Sequence, residues 1–334
     1  MKINLVGPFP PPIGGATVLY QLMVDYLNEN YKQVLPQESE IHTFDTNSFS
    51  ISWLIKLCSS HFKSDVTLLN LSKNGFRLFF PFLFFINVFA RKKLVLRVFG
   101  GWLKSEYETS GFFFRVLFRY ALTKIIIVVE TEDLNTWLNE AFDNLQLALR
   151  LPNCRKKFEK RLKRGDRFVF IGRVCKEKGV DELIEVAKSN SIYIDIYGPL
   201  DGYTSDELNN IKYVNYLGVI SPSSVTKVIA SYKALVLPTF YSGEGYPGVI
   251  IEAFASGTPV VSTKWRAIPE LVIDYQSGIL VEPKSSISLG EALRVLQADK
   301  LLWEKLSRGA RSSFSNYDER VIHQKFFRDL MKHI

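Results

Sequence analysis

From Ala234 to Val261 the chain reads Ala-Leu-Val-Leu-Pro-Thr-Phe-Tyr-Ser-Gly-Glu-Gly-Tyr-Pro-Gly-Val-Ile-Ile-Glu-Ala-Phe-Ala-Ser-Gly-Thr-Pro-Val-Val. The apolar run to Pro238 predicts a buried parallel strand. The glycines that follow predict a sharply turning loop, and Pro247 suits the first position of a helix. Glu244 falls in the loop, and Glu252 falls about a turn and a half inside the helix. Carboxylates so spaced can both face the carboxyl end of the strand, where open α/β sheets bind ligands. The unpaired N–H groups of a helix start suit an anionic or hydroxyl-rich ligand. Two glutamates at this spacing alone occur on any charged helix. Set between strand, glycine loop, helix and strand, they point to a site, because a glycine-rich loop needs a reason.

The rest of the chain repeats this grammar. Strands are predicted at Ile3–Val6, His42–Phe44, Val66–Leu71, Leu94–Phe99 and Ile125–Val129, with helical or mixed segments between them. Further strands are predicted at 168–174, 192–198, 213–218, 260–263 and 278–281, and amphipathic helices at 287–298 and 300–312. This alternation predicts α/β architecture with doubly wound parallel sheets. At 334 residues, 47% of them hydrophobic and 23% charged, the chain is globular and long enough for two domains. Cys58, Cys154 and Cys175 are sparse and fit a reducing cytosol. With four His and no Cys/His cluster, no metal is expected.

Two segments carry phosphate chemistry. Gly7-Pro-Phe-Pro-Pro-Pro-Ile-Gly-Gly15 joins the first strand to a helix whose apolar positions are Val18, Leu19, Leu22, Met23 and Leu27. Gly14 and Gly15 allow close backbone approach at the helix start. The segment is neither a dinucleotide fingerprint nor a Walker loop, and alone it also fits a plain turn. In the second half, Phe168–Val174 ends on Gly172 and Arg173, and Lys178 follows before a helix from Val180. This sets two cations over one cleft: Arg can grip a phosphate with two N–H groups, and Lys supplies a point charge.

Together these motifs resemble the retaining glycosyltransferases of family 4. The resemblance rests on Glu244 and Glu252, Pro238-Thr239, Gly257–Val261, Gly14-Gly15, Arg173, Lys178 and Pro152-Asn153. It is dense over 168–285 and sparse over 1–150. It implies two Rossmann-like doubly wound domains facing a cleft, the GT-B fold. Residues 1–154 would form the acceptor-side domain and 155–312 the nucleotide-sugar domain, with 313–334 crossing back to the first. It implies a nucleoside diphosphate sugar as co-substrate, with no cofactor and no metal. Arg173 and Lys178 would neutralise the diphosphate, with Glu244 as the third catalytic residue. Gly14, Gly15, Gly172, Gly245, Tyr246, Pro247, Gly248 and Glu252 would bind the donor. Phe99 stands where many relatives carry His, so no catalytic histidine is named. Glu270 reads as a helix cap outside the site.

The remaining features concern partners. A net charge of +8 suits anionic partners without choosing among them. The linker Arg155–Asp166 reads as solvated, and no aromatic platform or groove-reading helix accompanies it, which argues against nucleic acid. Residues 76–93 and 111–120 mix phenylalanines with Arg and Lys. The first run is too short, and too interrupted by Arg77 and Pro81, to span a membrane. Either these segments are core helices, or they form a surface lying in the headgroup layer of an anionic membrane. The second reading suggests a cytoplasmic protein, peripheral on the inner face of the cell membrane. Its acceptor would be a polyprenyl-diphosphate-linked glycan of surface polysaccharide such as O-antigen or capsule. A soluble acceptor is the other reading. A nucleotide-sugar epimerase, a glycan phosphorylase and a non-catalytic nucleotide-sugar-binding subunit fit a similar cleft. No pyridoxal lysine motif supports the phosphorylase.

Overall fold

A computed structural model describes residues 1–160 and 162–334; Arg161, within the charged linker, lies outside the described residues. The chain divides into two units, Met1–Asn153 with Glu319–Ile334, and Cys154–Asp318. Each is an α/β unit around one six-stranded sheet, as the alternating pattern predicts.

In the first unit the strands are β1 (Lys2–Gly7), β2 (Glu40–Asp45), β3 (Val66–Leu71), β4 (Lys93–Val98), β5 (Ile126–Val129) and β6 (Leu147–Arg150). They run parallel in the order β2-β1-β3-β4-β5-β6. Strand β6 escapes the sequence pattern because it is a half-exposed edge strand of four residues. The helix Glu319–Met331 belongs to this unit and buries Phe326 and Phe327 in it. Trp303, Phe314 and Tyr317 pack in the core of the second unit, so the segment from 313 to 318 does not belong to the return. They are the apolar cover of its last helices, and the return begins only at Glu319.

The second unit contains β7 (Phe168–Ile171), β8 (Ile194–Tyr197), β9 (Val214–Tyr216), β10 (Ala234–Leu237), β11 (Val260–Thr263) and β12 (Gly278–Val281). Their order is β12-β11-β10-β7-β8-β9, again parallel. Strands β7 and β10 are buried at every residue, as continuous apolar strands covered on both faces should be. The order reverses between β7 and β10. The helices that follow these two strands therefore pack on opposite faces of the sheet, the arrangement that leaves a crevice at the carboxyl ends of the strands.

The phenylalanine-rich segments are buried on one side and exposed on the other. The helix Lys73–Ala90 continues through Pro81 and buries Phe76, Phe79, Phe80, Leu83 and Phe84. Its other side leaves Leu78, Phe85, Val88 and Phe89 exposed. In the helix Phe112–Leu122, Phe118 is buried while Phe112 and Phe113 are 72% and 87% exposed. Arg77 pairs with Glu106, and Arg119 donates to the Tyr107 hydroxyl and lies over the Phe142 ring. Among the described residues no helix is long and apolar enough to cross a membrane.

His323 is fully buried beside the Tyr26 ring, and burial together with the charge of Arg97 pushes its imidazole down to about 3. The unfolded chain takes up this proton below the ordinary value of 6.5, whereas the folded chain does not. Stability is therefore complete above that pH and is lost progressively as pH falls toward the folded value. Going from pH 7 to pH 5 should cost about 2 kcal/mol. Urea unfolding at the two pH values should show this loss, and His323→Phe should reduce it.

Candidate active site

The crevice between β7 and β10 collects the predicted cations and the loop glutamate. After β7 the chain makes a short turn at Lys176–Lys178 and reaches Gly179 in the left-handed conformation (φ 79°). A Cβ at Gly179 would run into the carbonyl of Pro238, so the loop leaving β7 lies directly on the loop leaving β10. The Phe240 N–H donates to the Glu177 carbonyl at 2.8 Å and closes the contact. This places Lys178 Nζ 2.5 Å from Glu244 Oε2, with both side chains largely covered. The Thr239 hydroxyl donates to the same carboxylate oxygen at 2.7 Å. A buried carboxylate needs such partners, because an unpaired charge out of water costs several kcal/mol.

Arg173 joins the group through a residue that the sequence analysis missed. The centre of the Tyr241 ring lies 5.4 Å from the Arg173 guanidinium and 5.2 Å from Lys178 Nζ, so one aromatic ring serves both cations. The indole N–H of Trp265 donates to the Tyr241 carbonyl and holds this loop. Arg173 is 45% exposed and also reaches Asp201 at 3.3 Å. Arg173, Asp201, Tyr203 and Tyr241 line an open cavity of about 430 Å³. One aromatic among several in a glycine loop gives no sequence signal for this role. The predicted strand–loop context of Arg173 is what locates it.

Several predicted donor-binding residues have other work. The N–H of Gly172 already donates to the Tyr197 carbonyl, and its own carbonyl leaves no room for a side chain at Gly198. Gly172 therefore serves close strand packing rather than offering a donor. Pro247 precedes the helix as its N-cap instead of occupying the first position, since its ψ of 119° is not helical. The helix itself is Gly248–Ser256. Tyr246 is buried, and its hydroxyl donates to Glu270 Oε2 at 2.6 Å. Its side chain is an anchor for the loop, and Glu270, read as a cap, is that anchor's acceptor.

Glu252 is buried within the helix and accepts from Arg155 Nε at 2.8 Å. The linker start is thus not solvated. A Cβ at Gly248 would fall onto the Arg155 guanidinium, so glycine there makes room for this arginine. Burial raises the Glu252 carboxyl above the usual range, and the charge and hydrogen bond of Arg155 oppose that rise. Each of the two glutamates therefore has its own cation, Lys178 for Glu244 and Arg155 for Glu252.

In the first unit, Gly14 caps the helix Gly15–Val34 from an extended conformation. Its N–H donates to Thr17 Oγ1 at 2.9 Å, so Gly15, rather than Gly14, leads the helix start. Neither glycine has an atom within 4 Å of where a Cβ would sit. Phe99 is packed inward with the Arg97 guanidinium 4.7 Å from its ring centre. The N–H of Gly100 donates to Glu130.

The strand order, the cation pair and the two acids belong to the second unit, and that unit is where a family match falls. Residues 154–313 match the family model of the glycosyl transferases group 1. The matched residues cover nearly all of the second unit. An N,N'-diacetylbacillosaminyl-diphospho-undecaprenol alpha-1,3-N-acetylgalactosaminyltransferase of Campylobacter jejuni is 27% identical over 165 residues, 48% of this chain and 43% of that protein. A capsular polysaccharide biosynthesis glycosyltransferase of Staphylococcus aureus is 28% identical over 172 residues, 48% of this chain and 44% of that protein. The matched segments span less than half the length of these relatives. In fold, the chain is similar to the Anabaena protein HepE solved in complex with UDP, with a TM-score of 0.76. That similarity covers 99% of this chain and 100% of the other at 17% identity.

Because Arg155 opposes the upward shift of Glu252, Arg155→Gln should let the Glu252 carboxyl rise further. If ionised Glu252 holds the donor, the acid limb of the kcat/KM profile should then move to higher pH. A pH series on the variant and wild type measures the displacement, and an unmoved limb removes Glu252 from donor binding.

Proposed function

We propose that this protein is a retaining, metal-independent glycosyltransferase of bacterial surface-polysaccharide assembly, resembling family 4 in mechanism. It would move a sugar from a nucleoside diphosphate sugar to an acceptor hydroxyl. The observation that carries this reading is the joint packing of Arg173, Lys178 and Glu244 around Tyr241 at the strand-order reversal of the second unit. The family match over that unit and the polysaccharide-related names of the relatives support it. HepE was solved with UDP, which makes UDP-sugars the first donors to test.

In this proposal the bond from the anomeric carbon to the diphosphate oxygen breaks while the acceptor oxygen bonds the same carbon on the same face. The acceptor proton passes to the departing phosphate oxygen. Negative charge grows on the diphosphate, so fixed cations and helix N-termini supply most of the stabilisation. Arg173 and Lys178 supply that charge, and we assign the helix start at Gly14 and Gly15 a supporting role. Glu244 and the N–H groups of Gly245, Tyr246 and Gly248 hold sugar hydroxyls. Glu252 keeps Oε1 on Arg155 and offers Oε2 to the ribose hydroxyls, since an ionised carboxylate only accepts.

Replacing Arg173 tests the diphosphate assignment. Arg173→Ala should lower turnover by about 100-fold with the fold intact, because one charge-stabilising donor is lost. The effect should be the same with and without EDTA, measured as acceptor-dependent release of nucleoside diphosphate. Normal transfer by the variant would overturn the assignment.

The acceptor is proposed to be a lipid-linked glycan at an anionic membrane surface. The exposed Leu78, Phe85, Phe89, Phe112 and Phe113 lie on helices that also present exposed Arg91 and Arg115. Apolar side chains with cations among them match an interface of anionic headgroups. Co-sedimentation with phosphatidylglycerol vesicles should fall for Phe113→Ser and for Arg115→Glu, and added salt should weaken wild-type binding. Unchanged sedimentation of both variants would leave a soluble acceptor as the reading.

A further inference from the structure

The far end of the glutamate-bearing helix holds a second, unassigned concentration of charge. Arg164, from the linker, donates through Nη2 to the Ser256 carbonyl at 2.7 Å and through Nη1 to Thr258 Oγ1. Arg311 Nη2 donates to the same Ser256 carbonyl at 2.8 Å. With Lys160 and Ser307, these arginines line a cavity of about 260 Å³. No carboxylate lines it, and among the described residues neither arginine nor Lys160 forms an ion pair. The cations of the candidate active site differ, since Lys178 and Arg155 each face a glutamate.

The charge balance decides what this cavity suits. The carboxyl end of a helix carries about half a negative charge. Against three cations this leaves about two and a half positive charges uncompensated, and a phosphate monoester brings about −1.5 to −2. Burial, reinforced by the nearby charge of Arg311, pushes the Arg164 guanidinium down to about 10. Two guanidiniums on one carbonyl repel each other, and an anion between them removes that cost. A guanidinium edge also matches phosphate oxygens in pairs.

We propose that this cavity binds a phosphate group, with Arg164, Arg311 and Lys160 as its ligands, at the end of the helix remote from Gly248. The group can belong to a soluble phosphate compound or to a lipid headgroup. The site is independent of the donor reading, because it shares no residue with the Arg173–Lys178–Glu244 group.

The test measures thermal unfolding of the full chain with millimolar inorganic phosphate against chloride at equal ionic strength. The measurement is made on wild type, Arg311→Gln, Lys160→Gln and Arg173→Gln. Phosphate should raise the wild-type Tm. Arg311→Gln should weaken the apparent phosphate affinity about tenfold, as expected for loss of one charge-assisted contact. Lys160→Gln, at a side chain with no described ion pair, should also weaken it, and Arg173→Gln should retain the response. Phosphatidylglycerol vesicles form the second arm: protection by vesicles alone, abolished by Arg311→Gln, assigns the phosphate to lipid. If the arginines only cap the helix, Arg311→Gln lowers the basal Tm while every ligand response stays as in wild type, and the proposal is overturned. A phosphate response that only Arg173→Gln abolishes overturns it equally and leaves the donor reading standing.

Discussion

The ion pair between Lys178 and Glu244 sits where two parallel strands part company, and the local architecture is arranged around keeping it dry and matched. Neither charge is tolerable alone at that depth; removing one partner of a buried pair typically costs about 3–5 kcal/mol. The pair forms because β7 and β10 are neighbours and their loops touch through Gly179 and Pro238. Thr239 adds a neutral donor to the same carboxylate, so Glu244 is held by contacts from both loops. This leaves little side-chain reorganisation for a bound ligand to impose, which favours electrostatic stabilisation by fixed groups.

The helix that follows has opposite electrostatic problems at its two ends. Near its start, a buried acid is matched by an arginine borrowed from the linker, and a glycine is kept at position 248 to make room for it. At its finish, the carbonyls of Ser256 and Gly257 attract two arginines with no acid between them. The linker thus supplies a cation to each end of one short helix. What looks like a solvated basic run in composition is, at Arg155 and Arg164, part of the packing of the second unit.

Much of this architecture was readable in the sequence. Both sheets were legible because parallel strands buried on two faces are continuous apolar runs, and those runs stand between helical periodicities. The juxtaposition of Arg173, Lys178 and Glu244 was legible because each lies just past a strand end, and strand ends converge at a reversal of strand order. Tyr241 was not legible, since its role depends on which cations happen to lie over its ring. Arg155 and Arg164 were misread for a related reason: local charge density says nothing about a carboxylate 97 residues away or a helix end more than 90 residues away. The N–H of Gly172 is engaged by the Tyr197 carbonyl, which sequence could not show, because it does not say which N–H groups are already taken. The phenylalanine segments could not be resolved because the answer divides within each helix, with Phe118 inside and Phe113 outside.

The contact at Gly179 has a bearing on how this scaffold could diversify. Position 179 combines a left-handed backbone with a carbonyl at its back, and position 198 is pressed just as closely against Gly172. Both are closed to any larger residue, whatever the ligand. Asp201, Tyr203 and Tyr241, by contrast, line an open cavity. A change of specificity through loop side chains is therefore sterically open at the cavity and closed at positions 179 and 198.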